Sequence, residues 1–206
     1  TQGVSSAASD VYKRQVLTED EIKRLISSVN LDSEFGQRNK TIIEVLYGTG
    51  IRVSELTELK LSNIFFNEKI IKVTGKGNRE RYVPLGKIAS IEIKKYLNAR
   101  EKLKNDSKFS DILFLNRYGR QLTRSMIFKV INDSSKNAEI DKKISPHTLR
   151  HSYATHLLKN GADLRTIQLI LGHESITTTE IYTHLDTFHL EDVLKKYHPR
   201  ENKNQD

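Results

Sequence analysis

The sequence predicts a mainly α-helical protein with a small three-stranded antiparallel β-sheet inserted near its start. Two observations predict this class. Most of the chain carries apolar residues at the three- and four-residue spacing of amphipathic helices. The stretch IFFNEKIIKVTGKGNRERYVPL instead holds three short apolar runs separated by turn signals, which is typical of an antiparallel meander. We therefore expect a single, mainly helical domain.

Caps, breaks and periodicity place the individual elements. Thr18 and Glu21 have the spacing of a capping box and start the first helix. An apolar helix in NKTIIEVLYG is expected to end at Gly48 and Gly50, where the absence of a side chain lets the backbone turn. The strands are expected over residues 64–66, 70–73 and 81–83, and the helices over about 18–29, 54–59, 86–104, 123–138, 146–160, 163–171, 176–183 and 188–197.

Composition narrows the function classes. The chain has 206 residues, of which 36% are apolar, and this is enough for one substantial core. Its 34 Lys and Arg against 26 Asp and Glu give a net charge of +8, which favours a polyanionic partner such as nucleic acid. The absence of cysteine excludes disulfides and favours a reduced intracellular compartment. No apolar run approaches the ~18 residues of a membrane span, so no membrane is expected.

The two ends differ from the rest of the chain. Residues 1–15 are small and polar and lack periodicity, so we expect a non-native or disordered tail, and residues 201–206 are expected to form a second polar tail. The folded domain is therefore expected to cover residues 16–200.

One helix start is suited to an anion. Ser145 is a natural N-cap and Pro146 suits the first helical position. His147 and Arg150 are three residues apart, so they share a face of the first turn, where free N–H groups favour a phosphate. A solvated polar turn is the alternative interpretation. Apolar positions further along this helix are expected in the core, namely Leu149, Tyr153, Leu157 and Leu158.

Metal and nucleotide patterns are incomplete. His147 and His151 have the spacing of a zinc-protease helix, but no Glu lies between them to act as a base, and Arg150 would repel a cation. GTGIR and GKGNR lack the residues of a dinucleotide loop and a P-loop. We expect turns at both places, and neither a metal nor a cofactor.

Six residues have the side-chain types that a reaction at a phosphodiester needs. Two guanidiniums can neutralise charge on the phosphorane, and a lysine on a hairpin tip can protonate the leaving 5′ oxygen. Histidines can supply hydrogen bonds or transfer protons, and a tyrosine can attack phosphorus and hold it covalently. The candidates are Arg52, Lys76, His147, Arg150, His173 and Tyr182.

Five motifs occur in an order that resembles a known family. They are GTGIRVSEL, GKGNRERYVPL, SPHTLRHSYATHLL, LGHESITTTEIYTH and HLEDVLKKYHPR. Together they resemble the catalytic domain of tyrosine site-specific recombinases of the phage integrase superfamily, nearest to the bacterial Xer type, over about residues 16–200.

The resemblance implies an activity and roles for the matched residues. It gives the six candidates above as catalytic, with Tyr182 as the nucleophile that forms a 3′-phosphotyrosyl link, and Glu55 as an acid supporting Arg52. No metal or cofactor takes part. The implied function is site-specific recombination of double-stranded DNA in the bacterial cytoplasm, in chromosome dimer resolution at cell division.

The resemblance also implies partners. In the family the last helix, about residues 188–198 here, docks into a neighbouring protomer of a homo- or hetero-tetramer on DNA, with a possible activating protein. Packing on its own domain is the alternative. We expect the family's N-terminal core-binding domain to be absent from this chain. The exchanged contacts would come from Leu190, Val193, Leu194 and Tyr197.

Three other functions stay open. The alternatives are a mobile-element or phage integrase of the same superfamily, a type IB topoisomerase, and a DNA-binding protein without catalysis.

Further basic residues are predicted to contact backbone phosphates of the DNA. Such contacts would make DNA binding dependent on salt. The candidates are Arg79, Arg81, Arg120, Arg124 and Arg165.

Overall fold

The computed structural model of the protein describes residues 16–102, 106–172 and 184–201, without the side chains of residues 76 and 184–189. The predicted tail over residues 1–15 and the predicted helix over 176–183 lie outside these ranges.

The mainly α fold with a small antiparallel sheet is confirmed. Across the described ranges the chain forms eight α-helices, three strands and three short 3-10 turns. The helices are α1 (Glu19–Ser27), α2 (Gly36–Thr49), α3 (Val53–Thr57), α4 (Lys87–Arg100), α5 (Arg124–Asn137), α6 (Pro146–Lys159), α7 (Leu164–Leu171) and α8 (His184–Tyr197). The strands are β1 (Ile64–Phe65), β2 (Ile70–Thr74) and β3 (Glu80–Pro84), and the 3-10 turns are Leu61–Asn63, Lys76–Asn78 and Ser107–Phe109.

Helix α2 is the centre of the core, and its C-terminal end leads into the candidate site. It packs against both α4 and α6, and most of its residues are buried. The predicted end at Gly48 and Gly50 is confirmed at Gly50, which has a φ of +64°, whereas Gly48 is still within the helix, which continues to Thr49. Gly48 instead faces α4, where a methyl group on it would lie 3.4 Å from the Cβ of Ala89. Gly50 therefore sets the direction in which the chain enters α3.

Helix α6 begins as predicted and buries one face. The hydroxyl of Ser145 accepts a hydrogen bond from the N–H of Thr148 at 3.2 Å, and Pro146 is the first helical residue. The core positions predicted in this helix are buried except for Leu158, which is 51% exposed. Leu157 and Leu158 are adjacent and therefore about 100° apart around the helix, so only one of them can face the core.

The sheet is the predicted meander, with β2 between β1 and β3. Ile71 lies opposite Val83, and Val73 lies opposite Arg81. Because side chains alternate along a strand, Arg81 shares the inner face of β3 with Val83, and both residues are buried. The hairpin between β2 and β3 carries the turn Lys76–Asn78.

Helix α8 packs on its own domain in this structure. It contacts β3 and α6, and Leu190, Val193 and Leu194 are each at most 5% exposed. Tyr197 is partly buried against the same core. The helix starts at His184, somewhat before the predicted start near residue 188. The predicted exchange between protomers would therefore require α8 to leave this position. Within the described ranges, no helix is both long and apolar enough for a bilayer crossing.

Candidate active site

Glu55 organises the position of Arg52. Arg52 is the N-cap of α3, and its backbone N–H donates to Oε2 of Glu55 at 2.7 Å. The Arg52 guanidinium donates through Nη1 to Oε1 of the same carboxylate at 3.1 Å. Glu55 is the third residue of α3, the position from which a carboxylate reaches back to the N-cap. The Arg52 side chain stays 41% exposed, so it is accessible to a ligand.

Arg81 is the second cation on Glu55. Its Nη1 and Nη2 donate to Oε1 and Oε2 of Glu55 at 2.5 and 2.9 Å, a bidentate pair. Arg81 is 8% exposed. The prediction that Arg81 contacts a DNA phosphate is therefore not supported by its position, because its guanidinium is enclosed and already engaged. The alternation of β3 could have indicated this, since Arg81 is two residues from the apolar Val83.

Arg150 joins the same group of residues from α6. Its Nη1 donates to the carbonyl of Gly50 at 2.5 Å, and its Nη2 donates to the carbonyl of Leu171 at 2.7 Å. Burial and, to a smaller extent, the nearby charges of Arg52 and Arg81 together lower the pKa of Arg150 to about 10. Arg150 therefore lies close enough to Arg52 and Arg81 for their charges to act on it.

Arg52, Arg81, Arg150 and Glu55 together carry an excess of positive charge. Burial disfavours the ionised form of Glu55, but the hydrogen bonds and charges of Arg81 and Arg52 outweigh it and hold its pKa below the usual range. Glu55 is therefore an anion at neutral pH, bound by the guanidiniums of Arg52 and Arg81, and the charge of Arg150 acts on it from nearby. An excess of positive charge in a partly dry site is what stabilises an anion such as a phosphorane.

His147 and Lys76 lie on two elements beside this group. His147 is exposed in the first turn of α6, one turn before Arg150. Lys76 begins the 3-10 turn after β2; its backbone is described and its side chain is not. The residue before it, Gly75, lies close to Glu55, because a methyl group on Gly75 would be 3.5 Å from Oε1. The hairpin that carries Lys76 therefore starts next to the Glu55 carboxylate.

His173 and Tyr182 lie outside the described residues. Their roles stay predictions. The chain is described up to Gly172, whose carbonyl accepts a hydrogen bond from Nη2 of Arg52 at 3.2 Å. It is described again from His184, the first residue of α8. The backbone on the N-terminal side of His173 is therefore held by Arg52 itself.

The remaining predicted phosphate contacts are exposed arginines. Arg120 forms an ion pair with Asp106 at 3.8 Å and is 67% exposed in its side chain. The other exposed arginines of this group are Arg79, Arg124 and Arg165. Their exposure leaves all four accessible to DNA, and their contacts with DNA stay predictions.

His147 and His151 of α6 lie near each other. The rings of His147 and His151 stack with their centroids 6.5 Å apart. Among the described residues, no group of three or more His, Cys, Asp or Glu side chains could hold a metal ion.

Sequence reasoning missed a second buried carboxylate. Glu44, in α2, forms an ion pair with Arg200, which follows α8. Beside this pair, the hydroxyl of Tyr47 lies 2.8 Å from Nδ1 of His156, and the ring of His198 lies 5.0 Å from that of Tyr47. Glu44 stands within the apolar run TIIEVLY, and a carboxylate in such a run needs a partner when it is buried. That signal could have found it.

Comparison with known proteins finds one family and relatives that belong to the recombinases. The phage integrase family model matches residues 15–189. The chain is 46% identical over 187 residues to tyrosine recombinase XerD of Listeria monocytogenes, covering 90% of this chain and 63% of the relative. The chain thus spans less than two thirds of that relative's length.

Solved structures agree with this similarity. The crystal structure of XerA recombinase superimposes with a TM-score of 0.70 at 39% identity, covering 90% of this chain and 66% of that one. The XerH site-specific recombinase bound to its difH substrate in a pre-cleavage complex gives a TM-score of 0.69 at 28% identity, covering 78% of this chain and 47% of that one. With the family match over most of the chain, the protein belongs to the phage integrase family.

Proposed function

We propose that this domain performs site-specific DNA recombination by cleaving and rejoining strands through a 3′-phosphotyrosyl intermediate. The observation that carries the proposal is the convergence of Arg52, Arg81 and Arg150 on three consecutive carbonyls at the end of α7, with Glu55 bound to Arg52 and Arg81. The accessible part of this group has the charge and the planar donors that a phosphodiester requires. Double-stranded DNA is the proposed partner, in keeping with the positive charge of the chain.

The proposed cleavage is a transesterification. The phenol oxygen of Tyr182 attacks the phosphorus and passes its proton to one of the two histidines of the set, and the bond from phosphorus to the 5′ oxygen breaks. Lys76 donates a proton to the departing 5′ oxygen, and His147 and His173 supply hydrogen bonds or transfer protons. Arg52 and Arg150 neutralise the charge that develops on the non-bridging oxygens. A 5′-hydroxyl of the partner strand then reverses the step, so no metal or nucleotide is consumed.

The proposed biological role is chromosome dimer resolution at cell division. Its support is the similarity to a recombinase of the Xer type over nearly all of this chain. In this role α8 would leave its own domain and dock on a neighbouring protomer in a homo- or hetero-tetramer on DNA, as predicted from the resemblance. An activating protein could set the timing of that exchange. We place this activity in the bacterial cytoplasm.

Covalent trapping tests the chemistry. A duplex with a nick close to the scissile phosphate loses its short 5′-hydroxyl strand after cleavage, so the covalent complex accumulates. We expect the protein to form a denaturant-resistant complex with such a duplex, because religation lacks its nucleophile. Tyr182→Phe should bind the same duplex and form no complex.

Tyr118→Phe is the matched control, since it removes the same hydroxyl from a residue that is 60% exposed. It should trap DNA as the unaltered protein does. A covalent complex that persists in Tyr182→Phe would refute the assignment of the nucleophile. Binding without any complex in the unaltered protein would show a DNA-binding protein without catalysis. Recombination of a phage attachment-site pair, in place of a pair of dimer-resolution sites, would show an integrase.

A further inference from the structure

Arg81 contacts three chain segments that lead to predicted catalytic residues, namely Arg52, Lys76 and His173. Its Nη atoms hold Glu55, which in turn holds Arg52. Its Nη1 would lie 3.8 Å from a methyl group on Gly75, the residue before Lys76. Its Nε donates to the carbonyl of Ile170 at 3.2 Å.

The contact with the third segment is close. A methyl group on Gly172 would lie 2.9 Å from both Cδ and Nε of Arg81, so a side chain there would have to displace Arg81. Gly172 also has a φ of +66°, in the left-handed region that favours glycine. The glycine directly before His173 is therefore favoured by its backbone and lets Arg81 pack against it.

Three arginines hold three consecutive carbonyls at the end of α7. Arg81 binds the carbonyl of Ile170, Arg150 that of Leu171, and Arg52 that of Gly172. The last carbonyls of a helix have no partner within the helix and carry partial negative charge. The three guanidiniums satisfy them and thereby fix the direction in which the backbone enters residue 173.

We propose that Arg81 is a positioning residue for strand cleavage: it sets Arg52 through Glu55 and fixes the backbone that leads to His173. This inference rests on the proposed function. Arg81 acts without touching DNA, since it is 8% exposed and its guanidinium is enclosed by Glu55 and the end of α7. Its geometry depends on a planar guanidinium that donates in two directions, which a lysine cannot reproduce.

The test compares Arg81→Lys with the unaltered protein under single turnover at saturating nicked DNA. Arg81→Lys retains the charge and loses the fork that orients the Glu55 carboxylate. We expect the same affinity for DNA and a rate of covalent-complex formation lower by about 10²-fold, the cost of displacing a reacting group by a small distance. Arg100→Lys is the matched control, because the Arg100 guanidinium likewise donates several hydrogen bonds, here to the carbonyls of Ser110, Ile112 and Leu113, away from the site.

A second substrate separates positioning from general damage. A methylphosphonate at the scissile position removes the negative charge that Arg52 is proposed to neutralise. If Arg81 acts through Arg52, the deficit of Arg81→Lys should shrink by about tenfold or more on this substrate, as the deficit of Arg52→Ala should. A purely structural defect would be equal on both substrates and would overturn the proposal.

Glu55→Gln provides an independent variant if Arg81→Lys does not fold. It weakens the same link between Arg81 and Arg52, so it should show the same selective recovery on the methylphosphonate. Cleavage by Arg81→Lys at the unaltered rate would also overturn the proposal. Failure of the unaltered protein to form any covalent complex would instead refute the proposed function, so the two failures are distinguishable.

Discussion

Glu55 and Glu44 are two buried carboxylates that each pair with arginine, and their pKa values shift in opposite directions. Both side chains are 1% exposed. Burial disfavours ionisation at Glu55, but hydrogen bonds from Arg81 and Arg52 outweigh it, so the pKa is lowered. At Glu44 burial is the larger effect and Arg200 only partly opposes it, so the pKa is raised.

The difference lies in how many donors each carboxylate has and where they come from. Glu55 accepts two bonds from the Arg81 guanidinium, one from the Arg52 guanidinium and one from the Arg52 backbone. Both of these arginines belong to the central part of the domain. The oxygens of Glu44 bind one guanidinium, that of Arg200, which follows α8.

The ion pair between Glu44 and Arg200 also requires the segment after α8 to pack on this domain. His198 is buried, with its ring 5.0 Å from that of Tyr47 and 5.3 Å from that of Tyr153. If α8 exchanges between protomers, as proposed, Glu44 loses its cation during the exchange. A carboxyl with a raised pKa takes up a proton readily and tolerates that loss, whereas Glu55 is committed to its negative charge. Glu55 and Arg81 therefore form a permanent ion pair, whereas the pair of Glu44 and Arg200 would suit such an exchange.

The largest expected effect is on stability when each carboxylate loses its main arginine. Arg81→Met should lower the free energy of unfolding by ~3–5 kcal/mol, because it leaves the buried, ionised carboxylate of Glu55 without its main partner. Arg200→Met should cost only ~1–2 kcal/mol, because Arg200 is 27% exposed in its side chain and Glu44 can protonate. Urea unfolding at pH 7 measures both values.

The double variant Arg81→Met with Glu55→Gln provides the control. It should recover part of the loss, because no buried carboxylate remains unpaired. Equal losses in the two single variants would contradict the distinction between the two sites.

A smaller effect is expected in the pH dependence of stability. Because its folded pKa is lowered, Glu55 contributes stability above pH 4.5 that is lost as the pH falls through that lowered value. Because its folded pKa is raised, Glu44 reduces stability as the pH rises above 4.5 towards that raised value. Each slope is at most ~1.36 kcal/mol per pH unit.

Glu55→Gln and Glu44→Gln isolate these two contributions in urea unfolding between pH 3 and pH 7. Relative to the unaltered protein, Glu55→Gln should be most destabilised at the upper end of this range and less so in acid. Glu44→Gln should instead improve relative to the unaltered protein as the pH rises. Slopes of the same sign for the two variants would show that the carboxylates share one electrostatic environment.

Much of the fold could be predicted because its signals are local. The capping box at Thr18, the cap at Ser145 and the alternation in the β2 and β3 strands all act within a few residues, and each is present in the structure. The end of α2 was harder to predict, since Gly48 could be a break or a packing position. Its contact with Ala89, from a separate helix, favours packing, and that contact is not visible in a local pattern.

The candidate site could be predicted in its residue types but not in its connections. The motif order led to Arg52, Glu55 and Arg150, and the structure brings these together. Arg81 was predicted as a phosphate contact because the sequence of a basic chain does not show which arginines are exposed and which are buried. Its pairing with Glu55 spans 26 residues of sequence, and its bond to Ile170 spans 89. Only the tertiary fold creates those contacts.

Arg52 and Arg150 are proposed to stabilise the charge on a scissile phosphate, and the rate of strand cleavage in Arg150→Ala tests this role. The measurement is single-turnover formation of the covalent complex at saturating nicked DNA, with Arg100→Ala as the control. Arg150→Ala should form the complex at a rate at least ~10²-fold below that of the unaltered protein, as for the loss of a transition-state donor. The control should retain the unaltered rate. A folded Arg150→Ala protein that cleaves as fast as the control would show that Arg150 does not act on the phosphate.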